Sequence, residues 1–410
     1  MRSLWLTLGL LSSLAWAYPS GVVYIPLDDR PPNWSPCRWE LVRCPPREVY
    51  RGRKGADLAL LWGWLVGQPG QMLVASLDAL VYGGLVQSRS ARVSVEEARR
   101  RLGVLRYWQA TWGPVLAFGV IPRHPDAVDR GRNLALLRGL EGFSYVEAPW
   151  DDALPGSPAV AEAATLDLPT RPGADEAGQV MLLRALNPGL RVRVLYDHPQ
   201  APEQIARYDG IALGESVRRL LASAKAIEVS ERPDLVLLVY TGRDPRQGLL
   251  GVLQGLRQAP VAIADIARVN RGDPALMRYL LALDLYPALA AYAAWGTPSN
   301  NLGAALAQGG LFAPLPCQRA GNPSGFCEQR RTRALAQAYL EYLWGEVGRP
   351  WVRAHFTEPL GEEAAHHTLK RLQAEPMPRF PRGALVPTHL RFPWQRSFEA
   401  EWAYRFSGED

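Results

Sequence analysis

Short apolar runs recur along the chain, and each ends in a polar cluster. Gly21 to Leu27, rich in Val, Tyr and Ile, reads as a buried strand. It stops at Asp28-Asp29-Arg30-Pro31-Pro32-Asn33, where the prolines end regular structure. Met72 to Leu77 stops at Asp78, followed by Tyr82-Gly83-Gly84, and Val115 to Ile121 stops at Pro122-Arg123. Further strands are expected at Ser144 to Ala148, Leu168 to Pro172, Arg191 to Tyr196, Asp234 to Tyr240, Val261 to Ile266 and Leu289 to Trp295. Helical patterns lie between them. Ser94 to Trp108 has an acidic start and a basic end, as the helix dipole favours. Gln179 to Leu186, Glu203 to Ala224, Arg246 to Gln258 and Ala275 to Leu283 also read as helical, and Thr332 to Val347 as an amphipathic helix.

About eight strand–helix repeats of this kind predict a parallel α/β fold. Polar residues follow nearly every strand, and in a (β/α)8 TIM-like barrel all those ends would face one way and build one site. An open doubly wound sheet would spread them along an edge. No glycine fingerprint for a dinucleotide follows the first strand, which favours the barrel and gives no reason to expect a cofactor. The expected division is a leader at 1–17, a catalytic barrel domain at 18–330, and a C-terminal helix and β appendage at 331–410.

The leader rests on Arg2, the apolar run Leu4 to Leu14 and the small-x-small site Ala15-Trp16-Ala17. The run is too short to span a bilayer comfortably, so a secreted or periplasmic chain without stable membrane insertion is expected. Cys37 and Cys44 lie close in sequence, as do Cys317 and Cys327. In an oxidising compartment two local disulfides are the natural pairing among three connectivities. With 410 residues and 48% hydrophobic content the chain can build a large core. The net charge of +6 comes from scattered arginines, since the lysines are only Lys54, Lys225 and Lys370. Without a basic stripe interleaved with aromatics, nucleic acid is not an expected partner. The six histidines show no zinc-ligand spacing, so no metal is assigned.

Two acidic pairs carry the candidate chemistry. Asp151-Asp152 follows Tyr145 to Trp150, and Asp175-Glu176 closes Pro172-Gly173-Ala174. Carboxyl groups held together cannot both ionise freely, and a protonated acid beside an ionised partner is what glycoside hydrolysis requires. The competing reading makes such acids helix caps or solvated turns. Asp28, Arg30, Asp78, Tyr82, Arg123, Asp265, Tyr292, Trp295 and Asn300 stand at other strand ends and are the candidate substrate-binding residues. Against this, Asp28 and Arg30 would serve equally as a structural ion pair, and Trp295 is one of 14 tryptophans, any of which could be core.

The segments Pro26 to Asn33, Ser76 to Leu85, Gly173-Ala174-Asp175-Glu176 and Ala291 to Trp295 resemble those of the bacterial domain-of-unknown-function 4127 family. The likeness covers nearly the whole mature chain and departs at Trp295-Gly296-Thr297, where that family usually reads Trp-Asn-Thr. The family implies no activity. The order of strand-end residues is also similar to that of (β/α)8 N-acetylglucosaminidases with substrate-assisted catalysis. That likeness implies a role for Asp151 in polarising the acetamido group and for Asp152 as proton donor. The same roles would pass to Asp175 and Glu176 through the likeness of Gly-Ala-Asp-Glu to Gly-Gly-Asp-Glu. The expected function is therefore a secreted hydrolase of an amino-sugar glycan with a carbohydrate substrate. The alternative is a non-catalytic envelope protein that binds glycan or peptidoglycan.

Overall fold

The computed structural model describes residues 21–90, 93–123, 129–319 and 321–408, so the expected leader at 1–17 lies outside the described residues. Fourteen strands are formed among the described residues. The first sheet holds β1 (Val22–Ile25), β2 (Val42–Arg43), β3 (Met72–Ser76), β4 (Val115–Phe118), β5 (Tyr145–Trp150) and β6 (Thr170–Pro172). The second holds β7 (Arg191–Tyr196), β8 (Ile227–Glu228), β9 (Leu235–Tyr240), β10 (Val261–Asp265) and β11 (Ala291–Ala293). Every pairing in both sheets is parallel.

The strands do not close into the expected (β/α)8 ring. They form two open sheets, ordered β2-β1-β3-β4-β5-β6 and β11-β10-β9-β7-β8. Each order reverses once beside its first strand, which is the doubly wound arrangement. The physical reason for two sheets is what lies between them. Helices Ala177–Leu186 and Pro298–Phe312 join a single core cluster with the inward faces of both sheets. In a barrel that space would be filled by strand side chains alone.

Alternation along the strands assigns the faces. In β1, Val22 and Tyr24 point to this shared centre, while Val23 and Ile25 pack against the outer helices of the first sheet. In β9, Leu235, Leu237 and Val239 face the centre, and Val236, Leu238 and Tyr240 face the outer layer of the second sheet. Both faces of both sheets are thus covered, which is why these strands are apolar throughout.

The C-terminal part is not an independent appendage. Helix Ser324–Leu343 crosses the expected boundary at 331. The antiparallel strands β12 (Arg379–Phe380), β13 (Gly383–Arg391) and β14 (Glu401–Phe406) share a core with the outer face of the second sheet. Cys37 is bonded to Cys44 and Cys317 to Cys327, the local pairing suited to an oxidising compartment. Among the described residues no helix is long and apolar enough to cross a membrane.

Helix Ala177–Leu186 meets the first sheet closely enough to leave no room for a methyl group. A Cβ on Gly178 would lie 2.1 Å from the Tyr24 hydroxyl oxygen. That hydroxyl donates to the Asn33 carbonyl at 3.2 Å and so steadies the loop after β1. Gly178→Ala should lower stability by about 1–3 kcal/mol through overpacking. The check is a lower urea midpoint with an unchanged m-value.

Candidate functional site

The loop after β1 builds an ionic hub. Arg30 is buried, and its Nε donates to Asp28 Oδ2 at 2.9 Å. Its Nη2 reaches Asp175 Oδ1 at 2.6 Å, beyond β6. Asn33 Nδ2 donates to Asp28 Oδ1 at 3.0 Å and completes the shell. The C-terminal segment closes over it, with Glu399 near Arg30, the Trp394 ring against the guanidinium, and Trp394 Nε1 donating to Asp29 at 2.8 Å. Burial raises the Asp28 carboxyl above its usual range even though Arg30 pulls it down. The hub stands where the strand order of the first sheet reverses, between β1 and β3, the expected place for a ligand crevice.

The two acidic pairs converge at this hub. Asp151 is bound by Arg89, and Asp152 lies 3.4 Å from Arg123. Burial raises the Asp151 carboxyl first, Arg89 opposes that, and the charge of Asp175 adds to it. Asp152 is pushed up to about 7 by burial and then by Asp151 and Asp175. It also has a left-handed backbone, with φ of 26°, a strained conformation for a non-glycine residue at the end of β5.

Asp175 and Glu176 are neighbours with different surroundings. Asp175 is held by Arg30, whereas Glu176 is buried and its Oε2 has no hydrogen-bond partner. Burial, followed by the charge of Asp175, raises the Glu176 carboxyl well above its ordinary range. Glu176 lines a cavity of about 500 Å3 together with Trp34, Tyr292, Trp295 and Glu341. The wall runs along Pro31 and Pro32, directly after Arg30 in the chain. Glu341, on helix Ser324–Leu343, is raised to about 7 by burial, against a hydrogen bond from Gln337.

The other candidates divide by position. Trp295 lines the cavity, with Arg349 over its ring at 4.7 Å. Tyr292 also lines it, but its hydroxyl is committed to Asp265 Oδ2 at 2.7 Å. Asp265 is fully buried and accepts as well from the backbone of Ala267 and Asp273, so it organises the loop after β10. Asp78 is buried and accepts from Val120 N at 2.8 Å, tying β3 to β4. Tyr82 is covered by the Arg132 guanidinium. Asn300 Nδ2 donates to Thr297 at 3.0 Å, within the first turn of helix Pro298–Phe312.

Gly296 has a clear explanation. Asn301 Oδ1 accepts from its backbone N–H at 2.6 Å, and Asn301 Nδ2 reaches the Asp265 carbonyl. A Cβ at 296 would sit 2.8 Å from Asn300 Cβ. An asparagine could not occupy position 296 here without displacing this turn.

Sequence reasoning missed Arg89, Glu341, Glu399 and Trp394. None has a local motif, and each reaches the site from an element distant in the chain.

A family model described as "Protein of unknown function (DUF4127)" matches residues 22–136 and 157–402. Asp175 and Glu176 fall within these stretches, and Asp151 and Asp152 fall between them. No curated protein and no solved structure matches the chain.

Arg30→Gln should destabilise the fold by about 3–5 kcal/mol at neutral pH, because it strands two carboxylates around a buried position. The deficit should shrink as pH falls, since the Asp28 carboxyl, raised by burial, no longer needs the cation once protonated. Urea denaturation of both proteins at pH 7.5 and pH 4.5 checks this. An equal deficit at the two pH values would contradict the ionic role.

Proposed function

The chain belongs to the family described as protein of unknown function (DUF4127), and on that premise we propose that it is an exported glycoside hydrolase acting on an amino-sugar glycan, with Asp175 and Glu176 as its working pair. The observation that carries this reading is the contrast between those neighbours. One is fixed by an arginine, and the other lines an aromatic-walled cavity and has a buried oxygen without a partner. Environments that separate two carboxyls in this way divide acid and base roles between them.

In this scheme Glu176, whose carboxyl burial raises well above its ordinary range, gives its proton to the glycosidic oxygen as the C1–O bond breaks. The acetamido oxygen of the substrate attacks C1. Asp175 accepts a hydrogen bond from the acetamido N–H through Oδ2, its Oδ1 being held by Arg30. Glu176, now a carboxylate, takes a proton from the water that opens the cyclic intermediate. Trp295 offers an aromatic surface to the C–H face of the sugar. Asp151 and Asp152 lie close enough to Asp175 for its charge to raise their carboxyls.

The test is release of chromophore from a panel of aryl glycosides that includes N-acetylhexosaminides. Glu176→Gln should lower kcat/KM by about 10²–10⁴-fold, the usual contribution of a general acid. Because the acid works protonated and burial raises it, the fall in kcat/KM with rising pH should come well above the range in which an ordinary glutamate ionises. If Asp152→Asn rather than Glu176→Gln abolishes turnover, the working pair is Asp151 and Asp152. Binding of glycans by every variant without turnover by any would leave the envelope-binding reading in its place.

A further inference from the structure

The cavity beside Glu176 has a far end that the catalytic scheme does not use. Helix Ser324–Leu343 turns one face to it, since Arg330, Arg333, Ala334, Gln337, Ala338 and Glu341 line the cavity at the three- and four-residue spacing that shares a side of a helix. Glu341 marks the end at Glu176, whose carboxyl its charge helps to raise. At about 1.5 Å per residue, Arg333 stands roughly 12 Å and Arg330 roughly 16 Å further along the axis. Arg38 also lines the cavity, and it stands two residues before Glu40, the partner of Arg330. The cavity thus runs from an acidic end to a basic one.

The carboxylates at the basic end do not balance it. Glu401 pairs with Arg38 but also with Arg47 and Arg391, so one negative charge is divided among three cations. Glu40 pairs with Arg330 and, at 3.9 Å, with Arg333, and its side chain is 63% exposed, so water screens the charge it offers. Arg330 is nonetheless buried, and its Nε has no hydrogen-bond partner. A charge kept out of water calls for compensation. Burial, and then the charge of Arg333, lowers Arg330 to about 10, the direction expected of a cation short of counter-charge. Glu176 and Glu341, the other carboxyls on the wall, are shifted by burial toward their neutral forms. Five arginines therefore share two carboxylates.

We propose that this arginine wall is an oxyanion subsite, in which Arg330, Arg333 and Arg38 bind a carboxylate or sulfate group on a sugar beyond the one held at Glu176. The substrate is then an acidic saccharide. Guanidinium groups suit such a ligand because their planar fork donates two parallel hydrogen bonds to one oxyanion. The separation along the helix places that group on a neighbouring unit rather than on the sugar at Glu176. This deepens the hydrolase reading and rests on it for the identity of the ligand as a saccharide, whereas the excess of positive charge does not depend on it. The three arginines contact no reacting atom in this assignment and determine specificity.

The first measurement needs no sugar. Inorganic sulfate, compared with chloride at equal ionic strength, should raise the Tm of the full wild-type chain more than that of Arg333→Gln. Sulfate also stabilises proteins by exclusion from their surface, so the difference between the two proteins is the readout. The second measurement is isothermal titration of the full chain carrying Glu176→Gln, with and without Arg333→Gln. The probes are a hyaluronan hexasaccharide for carboxylate, a chondroitin 4-sulfate hexasaccharide for sulfate, and neutral N-acetylchitohexaose. At least one acidic probe should bind tenfold or more tightly than the neutral one, and the better of the two identifies the oxyanion. Arg333→Gln should remove that advantage and leave the affinity for the neutral probe unchanged. Its contact with Glu40 is long and solvated, so the Tm in plain buffer should not move. A purely structural arginine would instead lower that Tm and leave selectivity alone. In the protein with Glu176 intact, Arg333→Gln should raise KM for the acidic substrate and leave kcat nearly unchanged. The subsite is overturned if sulfate protects both proteins equally, if the neutral probe binds as tightly as the acidic ones, or if no probe binds. Acid-selective binding that depends on Arg333 in a wild-type protein without turnover would sink the hydrolase reading alone. Turnover indifferent to the charge of the substrate would sink the subsite alone.

Discussion

A helix with almost no solvent face sets the geometry of the whole molecule. From Pro298 to Phe312 every residue except Gln308 is buried. The approach is close because small residues face both ways. A Cβ on Gly309 would meet Ala262 and Leu235 of the second sheet, and one on Gly310 would meet Leu183 of helix Ala177–Leu186 and Leu190 just before β7. This helix, with Ala177–Leu186 beside it, holds the two sheets apart and fixes where their strand ends lie. Its first turn anchors the loops around it. Ser299 donates to Asp209 and Asn301 clamps Gly296 and the Asp265 carbonyl. The one residue not buried, Gln308, lines the cavity. The cavity is thus a consequence of the same packing that joins the halves.

That helix is also where the sequence was hardest to read. A segment buried on all sides has no polar face, so it lacks the 3.6-residue alternation by which helices are recognised. Its Asn300-Asn301 start and its glycines resemble a loop, and no helix is expected directly after the strand Leu289 to Trp295. Missing it changed the architecture. Repeated strands with polar ends look alike whether they close into one ring or divide between two sheets, and only the filling distinguishes the cases. The strands themselves were legible, with Arg191–Tyr196 recovered at both ends and Leu235–Tyr240 to within a residue. Two-residue strands such as Val42–Arg43 carry too little pattern to be seen. The helix expected over Ser94 to Trp108 is two, Val95–Arg101 and Gly103–Thr111. The two sheets also repeat one strand order without any repeat in sequence, since topology constrains hydrophobic spacing and not residue identity.

For the site, the residue types at strand ends were informative and their partners were not. Acids after β1, β5 and β6 do meet, because parallel strands deliver their C-terminal ends to one edge. What each acid does there depends on residues brought from far along the chain. Arg89 reaches Asp151, Glu341 approaches Glu176, and Glu399 and Trp394 cover Arg30. Such contacts leave no local signature. Asp265 and Tyr292 illustrate the converse. Their sequence positions fit substrate binding, yet their polar atoms are absorbed by a loop and by each other.

Adjacency in the chain is what separates the surroundings of Asp175 and Glu176. At the end of β6 the Gly173 backbone, with φ of 91°, turns the chain. A side chain there would press on Ser299 and Asn300 of the central helix. After that turn, one carboxyl reaches Arg30 and the next lines the cavity. Coulomb repulsion between them is relieved asymmetrically. The arginine holds Asp175, and burial, with the charge of Asp175 beside it, raises the Glu176 carboxyl. Asp151 and Asp152 have no such division, since each has its own arginine and both are shifted in the same direction. A pair whose members differ is better suited to acid–base work than a pair whose members are alike. The asymmetry arises from the position of Arg30, which is set in turn by Asp28 and the proline-bounded loop after the first strand.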